Sequence, residues 1–277
     1  AVLDALIGKK EPEEVHPFGI NLIGDYNVTG DMWQYKPILE RIGIKVISTL
    51  SGDGRIEDIC QAHRAKLNVI VCAKSLITLC RKMQERYNIP YVSVSFYGKR
   101  DTSNAIRSIV NAFGDAELIA KAEAIIAEEE AKLEERLRPY HVMLKGKKAI
   151  LNTGGNKSWS IASALQDIGI EVVATSIQKA TEEDIAIAQT YVPIVFKSPA
   201  TEQPRLIDEH KVDILLAGGR SLYTAIKKRI AFVDVNQEKK VSYGAYGGLE
   251  NLAIDVCAAL ANPVFKLVGR SAPWELA

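Results

Sequence analysis

From Pro17 onward the chain alternates short, β-branched apolar runs with amphipathic stretches of helical spacing, and that alternation leaves few folds open. GINLIG (residues 19–24) leads through the turn-rich DYNVTG into MWQYKPILERIG. KVIS (45–48) closes on SGDG (51–54) and is followed by RIEDICQAHR. NVIV, a helical stretch from Lys74 to Tyr87 and then YVSVSF complete a first set. Runs that are apolar along their whole length suit strands covered on both faces. Strands separated by helices of about 10–15 residues require right-handed βαβ crossovers and a parallel sheet.

Residues 101–140 carry two helices, the second of which contains AEAIIAEEEAKLEERLR. Its charge reads as a solvated face, with partner binding as the other reading. The strand–helix series then restarts. KKAILNTGG and SWSIASALQDIG are followed by EVVATS, TEEDIAIAQTY, PIVF, PRLIDEHK, DILLAGG and SLYTAIKKRI, and then by a helix around Leu249–Leu260. The expected fold is α/β, with two Rossmann-like parallel-sheet domains. The expected parts are an amino-terminal helical segment (1–16), a first domain (17–140), a second domain (141–262) and a tail (263–277) of extended chain and one turn. Loops at the C-terminal strand ends are where such sheets bind ligands, so the two domains are expected to face a common cleft.

With 277 residues and 47% apolar side chains, the chain can build two proper cores. Its 35 basic and 34 acidic residues leave a net charge near zero, which argues against a nucleic-acid or membrane-surface role. No apolar run approaches the roughly 18–20 residues of a membrane span, and nothing at the start resembles a signal peptide. Four widely spaced cysteines in helix or strand patterns read as reduced thiols of a cytoplasmic protein. The chain opens without Met, inside the helical pattern AVLDALIGKK, as a piece of a longer polypeptide would.

Several motifs carry little. GDYNVTGD lacks the G-x-G-x-x-G spacing of a dinucleotide site. TGGNKS resembles the end of a phosphate-binding loop, in which Gly154 and Gly155 would let backbone N–H groups approach an anion and Lys157 would supply charge. The full G-x-x-x-x-G-K-[ST] pattern is missing, which leaves an anion or phosphometabolite site but no ATP site. His16, His63, His141 and His210 do not pair at helical spacing, so zinc has little support. Cys80 shares an apolar helix face with Leu76, Leu79 and Met83, and Cys60 and Cys257 sit in amphipathic helices; all three read as core. Cys72 differs. It stands between a strand and a helix, beside Lys74 and Ser75, where the helix dipole and the lysine favour a thiolate. Core residue and functional thiolate both stay open on these grounds, and a lone thiolate holds iron only when the cluster's other coordination is internal.

INLIGDYNVTGDMWQYKPILERIGIKVISTLSGDGR, AHRAKLNVIVCAKSL, RKMQERYNIPY, SFYG, TGGNKSWS, ATSIQKATEED, ILLAGGRS, the run Asp234–Gln237 and the terminal APWE resemble the nitrogenase component 1 superfamily from about Gly19 to the end. The resemblance is greatest to the branch on which the iron–molybdenum cofactor is assembled. It implies that Cys72 matches the cysteine that ligates a terminal iron in the catalytic branch. That branch also places a histidine on molybdenum, and Gly247 stands in its position within YGGLEN. The catalytic Gly-Gly-Leu-Arg becomes Gly154-Gly155-Asn156-Lys157, and the side chains covering the cofactor are replaced by Gln178, Lys179, Ala180 and Thr181.

The resemblance therefore implies a scaffold subunit without independent turnover. On it an iron–sulfur precursor would be held by Cys72, beside Gly154, Gly155, Lys157, Lys74, Ser75, Lys179 and Gly247, and matured with molybdenum and homocitrate. The implied partners are an N-type scaffold subunit in a heterotetramer, the nitrogenase iron protein, and cluster-donating and cluster-accepting proteins. A catalytic α subunit is the alternative, followed by a nucleotide- or phosphometabolite-binding protein. The family's full-length chain carries an amino-terminal domain with further cysteines, and truncation is the reading for its absence here.

Overall fold

A computed structural model describes residues 2–71, 73–178, 180–236 and 240–271, with the backbone alone for residues 73–75. Two compact units are present, one of residues 1–136 and 241–250, the other of residues 137–240 and 251–277.

In the first unit the elements run α1 (Val2–Leu6), β1 (Gly19–Ile23), α2 (Asp31–Ile42), β2 (Lys45–Leu50), α3 (Ile56–Gln61), β3 (Leu67–Ile70), α4 (Ala73–Tyr87), β4 (Tyr91–Ser93), α5 (Lys99–Phe113) and α6 (Ala116–Leu137), the last residue of α6 falling in the second unit. The four strands are parallel in the order β2-β1-β3-β4. β1 and β3 are buried at every residue, which explains why their sequences do not alternate. α2 tolerates Pro37 and stops at Gly43, whose left-handed backbone (φ 110°) lets its N–H cap Leu39 and Glu40 carbonyls.

The second unit continues with α7 (His141–Leu144), β5 (Lys148–Asn152), α8 (Lys157–Asp167), β6 (Glu171–Ser176), α9 (Glu182–Tyr191), β7 (Ile194–Phe196), α10 (Pro199–His210), β8 (Ile214–Ala217), α11 (Leu222–Lys228), β9 (Ala231–Asp234), α12 (Ala245–Ala261) and α13 (Val264–Leu267), the first six residues of α12 falling in the first unit. Its sheet is parallel, ordered β7-β6-β5-β8-β9. Both sheets are of the Rossmann-like kind that the alternation predicts. β9 is a strand that the sequence pattern does not announce: AFVD is short, half-exposed and at a sheet edge, so it lacks a long apolar run. α12 begins four residues before the expected Leu249, because Ala245–Gly248 holds two glycines that read as turn.

In each sheet the chain goes to one side of its first strand and then crosses to the other. The reversals lie between β1 and β3 and between β5 and β8. The C-terminal ends of those strand pairs are the places where such a sheet leaves a crevice.

One polar ladder crosses the first sheet. Asn21 on β1 donates to Asn68 Oδ1 on β3 (2.8 Å) and to the Ala62 carbonyl (2.9 Å), and Ser48 on β2 donates to Asn21 Oδ1 (2.7 Å). All three side chains are fully buried or nearly so. Asn21→Leu removes the hub and strands buried partners on three elements, so the first unit is expected to lose about 2–4 kcal/mol. Urea denaturation followed by a probe in that unit tests this, and a loss below about 0.5 kcal/mol would show the ladder to be idle.

Candidate functional site

At the first unit's reversal point, β3 ends at Ile70, Val71 is buried, and α4 begins at Ala73. Cys72 itself lies outside the described residues, as do Lys179 and Gln237 and the terminal APWE, and the side chains of Lys74 and Ser75 are not described. The elements on either side of Cys72 are those its sequence predicts. α4 is not one regular helix, since its backbone leaves helical geometry at Leu76 (φ −137°, ψ 18°).

The loop after β1 lies at the same end of the sheet and is tightly bonded. Tyr35 donates to Asp25 Oδ2 (2.7 Å), Asn27 N–H donates to Asp25 Oδ1 (2.7 Å), and Met32 N–H donates to Asn27 Oδ1 (2.9 Å). Asn27 Nδ2 and the Trp33 indole both donate to Asp53 on the loop after β2 (2.8 and 2.5 Å). A Cβ at Gly52 would stand 2.5 Å from the Tyr26 carbonyl carbon, so only glycine allows the two loops this approach. GDYNVTGD is thus a structural knot.

Asp31 opens α2 and is 6% exposed. Its Oδ1 accepts from Ser242 Oγ (2.8 Å), Tyr243 N–H (2.9 Å) and Gly244 N–H (3.1 Å), and its Oδ2 accepts from the Tyr97 hydroxyl (2.9 Å). That carboxylate pins the returning segment 241–250, in which Tyr97 and Gly244 also form an antiparallel bridge and Ala245 N–H donates to the Phe96 carbonyl. Gly247 follows in the first turn of α12. A Cβ there would come 2.8 Å from Gln34 Oε1 on α2, so the Gln34 carboxamide takes the room a side chain at 247 would use. At Gly248 a Cβ would stand 2.1 Å from the Tyr243 carbonyl carbon, which excludes every other residue. Asp31 and Gln34 were not singled out in the sequence: an acid and an amide in a helix's first turns read as ordinary capping and solvation.

The second unit's reversal point carries Thr153–Lys157 after β5 and Gly218–Ser221 after β8. Gly154 (φ 147°) lies so close to the loop after β6 that a Cβ would meet Gln178 O at 2.3 Å. Gly155 N–H donates to that same Gln178 oxygen (3.3 Å), Ser158 N–H to Gly155 O (3.1 Å), and Ser160 N–H to Asn156 O (3.0 Å). Those three donors turn inward, and Gly154 serves close backbone packing, whereas a Cβ at Gly155 would meet nothing within 4 Å. Lys157 is half-buried and donates through Nζ to the Val235 carbonyl just past β9 (3.2 Å). The ATSIQKATEED stretch is held by a capping box at Thr181 and Asp184, and the Trp159 indole donates to Asp184 Oδ1 (3.0 Å).

The remaining candidates fall out as core or surface. Cys80 is sealed among Ile23, Leu50, Ile70, Leu79 and Met83, and burial pushes its thiol up to about 12, so it is protonated at neutral pH. Cys60 is buried. Among the described residues no group of three or more His, Cys, Asp and Glu side chains could hold a metal ion, and no helix is long and apolar enough to cross a membrane.

These features belong to a known class. The profile of the family described as nitrogenase component 1 type oxidoreductase matches residues 1–261, and the chain belongs to that family. Among its relatives is the nitrogenase iron-molybdenum cofactor biosynthesis protein NifE of Rippkaea orientalis, 46% identical over 280 residues, covering all of this chain and 60% of that protein. The NifE of a Nostoc species is likewise 46% identical, over 99% of this chain and 58% of the relative. The chain thus spans less than two thirds of the length of these relatives. The solved structure titled "Nitrogenase Cp1 at pH 5" superposes with a TM-score of 0.84 at 23% identity, over 97% of this chain and 61% of that one, and shows the shared fold.

Tyr246, next to Gly247, shares a hydrogen bond with Ser103 Oγ (2.9 Å), and burial pushes its phenol up to about 12 from an ordinary 10.0. Tyr35 is raised in the same direction, by burial first and then by Asp25. A phenol that ionises more readily in the unfolded chain costs nothing below its unfolded pKa, and stability drains as pH climbs from there toward the folded value. First-unit stability is therefore expected to hold up to about pH 10 and then fall toward about pH 12. Urea midpoints across that range should decline less steeply in Tyr246→Phe, and an identical decline in the variant would contradict the assignment.

Proposed function

We propose that this chain is part of a scaffold subunit on which the precursor of the nitrogenase iron–molybdenum cofactor is held and matured before transfer to the catalytic component. Its relatives bear the name of cofactor biosynthesis proteins, and its family membership supports an oxidoreductase-type fold put to that use. In this reading the precursor, an iron–sulfur cluster, is cargo. Cys72 supplies the thiolate at the strand end, and Lys157 and Lys179 supply positive charge toward an anionic cluster. Gly154, Gly155, Lys74, Ser75 and Gly247 complete the surroundings. Molybdenum and homocitrate join during maturation, an N-type subunit completes a heterotetramer, and the iron protein and cluster carriers act on it in the cytoplasm.

The observation that carries the proposal is at Gly247. The resemblance places a second metal ligand there in the catalytic branch; here the position has no side chain, and the Gln34 carboxamide stands in its space. A reductase needs its metal cluster fixed at both ends, whereas a scaffold must release it. A single thiolate suits release.

Cys72→Ala in the full-length scaffold with its N-type partner is expected to lose most of the precursor iron on anaerobic gel filtration. Unchanged iron content and an unchanged cluster spectrum would sink the proposal. Lys157→Ala is expected to retain less cluster at low salt, with the gap to the parent closing as ionic strength rises and charges are screened. A gap independent of salt would remove the electrostatic role of Lys157.

A further inference from the structure

Gly247 stands on a turn whose shape comes from a distant residue. Positions 241–250 belong with the first unit, although the chain on both sides of them belongs with the second. Ala245 takes a left-handed backbone (φ 54°), a conformation that a residue with a Cβ adopts only where its surroundings impose it. The turn is tied to the loop after β4 by the Tyr97–Gly244 bridge and by the bond from Ala245 N–H to the Phe96 carbonyl. Its anchor on α2 is Asp31.

Three donors of the turn converge on Asp31 Oδ1: Ser242 Oγ (2.8 Å), Tyr243 N–H (2.9 Å) and Gly244 N–H (3.1 Å). The Tyr97 hydroxyl donates to Oδ2 (2.9 Å). Gly244 lies directly on the Asp31 backbone, since a Cβ there would stand 2.9 Å from the Asp31 carbonyl oxygen. Three positions along the same helix face comes Gln34, whose Oε1 is 2.8 Å from where a Cβ at Gly247 would stand. Apart from the turn itself, only Gln34 comes within 4 Å of that point. The first turns of α2 thus pin the returning chain at 242–244 and face it at 247. An asparagine at 31 would keep these bonds in geometry, its oxygen accepting three and its NH2 donating to the Tyr97 oxygen, but would lose the charge that strengthens them.

We propose that Asp31 is a positioning residue for the Gly247 edge of the site. It acts by fixing the turn that the cargo meets, and not by touching the cargo. The inference rests on the scaffold reading for what the cargo is. Cys72 supplies the grip in that reading, so losing Asp31 changes how the cargo sits more than whether it is held.

Two readouts test this. In this chain, Asp31→Ala is expected to speed amide hydrogen exchange over 242–248 about tenfold or more, while β1 and β3 exchange as in the parent. In the full-length complex with its N-type partner, loaded anaerobically with iron–sulfur precursor, the same variant is expected to keep most of its iron. Its cluster spectrum should broaden or split, because the turn no longer has one shape. Asp31→Asn should restore the parent spectrum. Should Asp31→Ala expose β1 and β3 as well, Ser242→Ala combined with Tyr97→Phe removes two of the four donors and takes the same two readouts. Unchanged exchange over 242–248 overturns the proposal, and so does faster exchange with the parent spectrum intact. Iron loss as complete as in Cys72→Ala overturns it too, since Asp31 would then govern the grip. If Cys72→Ala itself keeps its iron and its spectrum, the scaffold reading fails instead, and exchange alone decides the role of Asp31.

Discussion

A single buried carboxylate organises the first unit. Asp31 takes two backbone N–H groups and two hydroxyls onto its oxygens, and three of those four donors come from residues more than two hundred positions later in the chain. Charge-assisted bonds of this kind are about twice as strong as neutral ones, and losing any partner leaves a charge buried and under-bonded. The loop Ser242–Gly248 has two glycines packed on backbone and a left-handed Ala245, a shape that it would not hold alone. Asp31 supplies the fixed point, and Gly247 and its neighbour Tyr246 take their places from it.

The two units apply the same topological device with different chemistry. In each, the chain reverses direction across its first strand, and the loops at that point carry the residues with functional promise. In the first unit the position after β3 carries the cysteine, and the surrounding loops are closed by aromatic and carboxylate bonds. In the second, Gly154 admits the backbone of the loop after β6, and Lys157 and Arg220 stand on the loops.

The fold was legible because parallel strands buried on both faces leave an unmistakable pattern. GINLI, LNVI, KAILN and ILLA are rich in apolar residues that do not alternate with polar ones, and the helices between them are amphipathic. AFVD was not legible, since a half-exposed edge strand of four residues has no such signature. Within the site, Gly154 and Gly155 stood out in the sequence as a possible anion loop; the structure adds that Gly154 admits the backbone of the loop after β6 and that the Gly155 N–H is engaged by Gln178 O. Asp31 and Gln34 were invisible because each acts across a long sequence separation, and nothing in its own neighbourhood marks it. Their roles become readable only when the loops that they join are brought together.

The central claim is that the bound cluster is cargo. The most direct measurement is a transfer experiment with the full-length, precursor-loaded complex, the iron protein and cofactor-deficient nitrogenase component 1. The account predicts that isotopically labelled iron appears in the nitrogenase component and confers substrate reduction on it, while the donor complex alone reduces nothing. Labelled iron that stays on the donor, together with sustained substrate reduction by the donor itself, would contradict the account and mark the protein as a reductase.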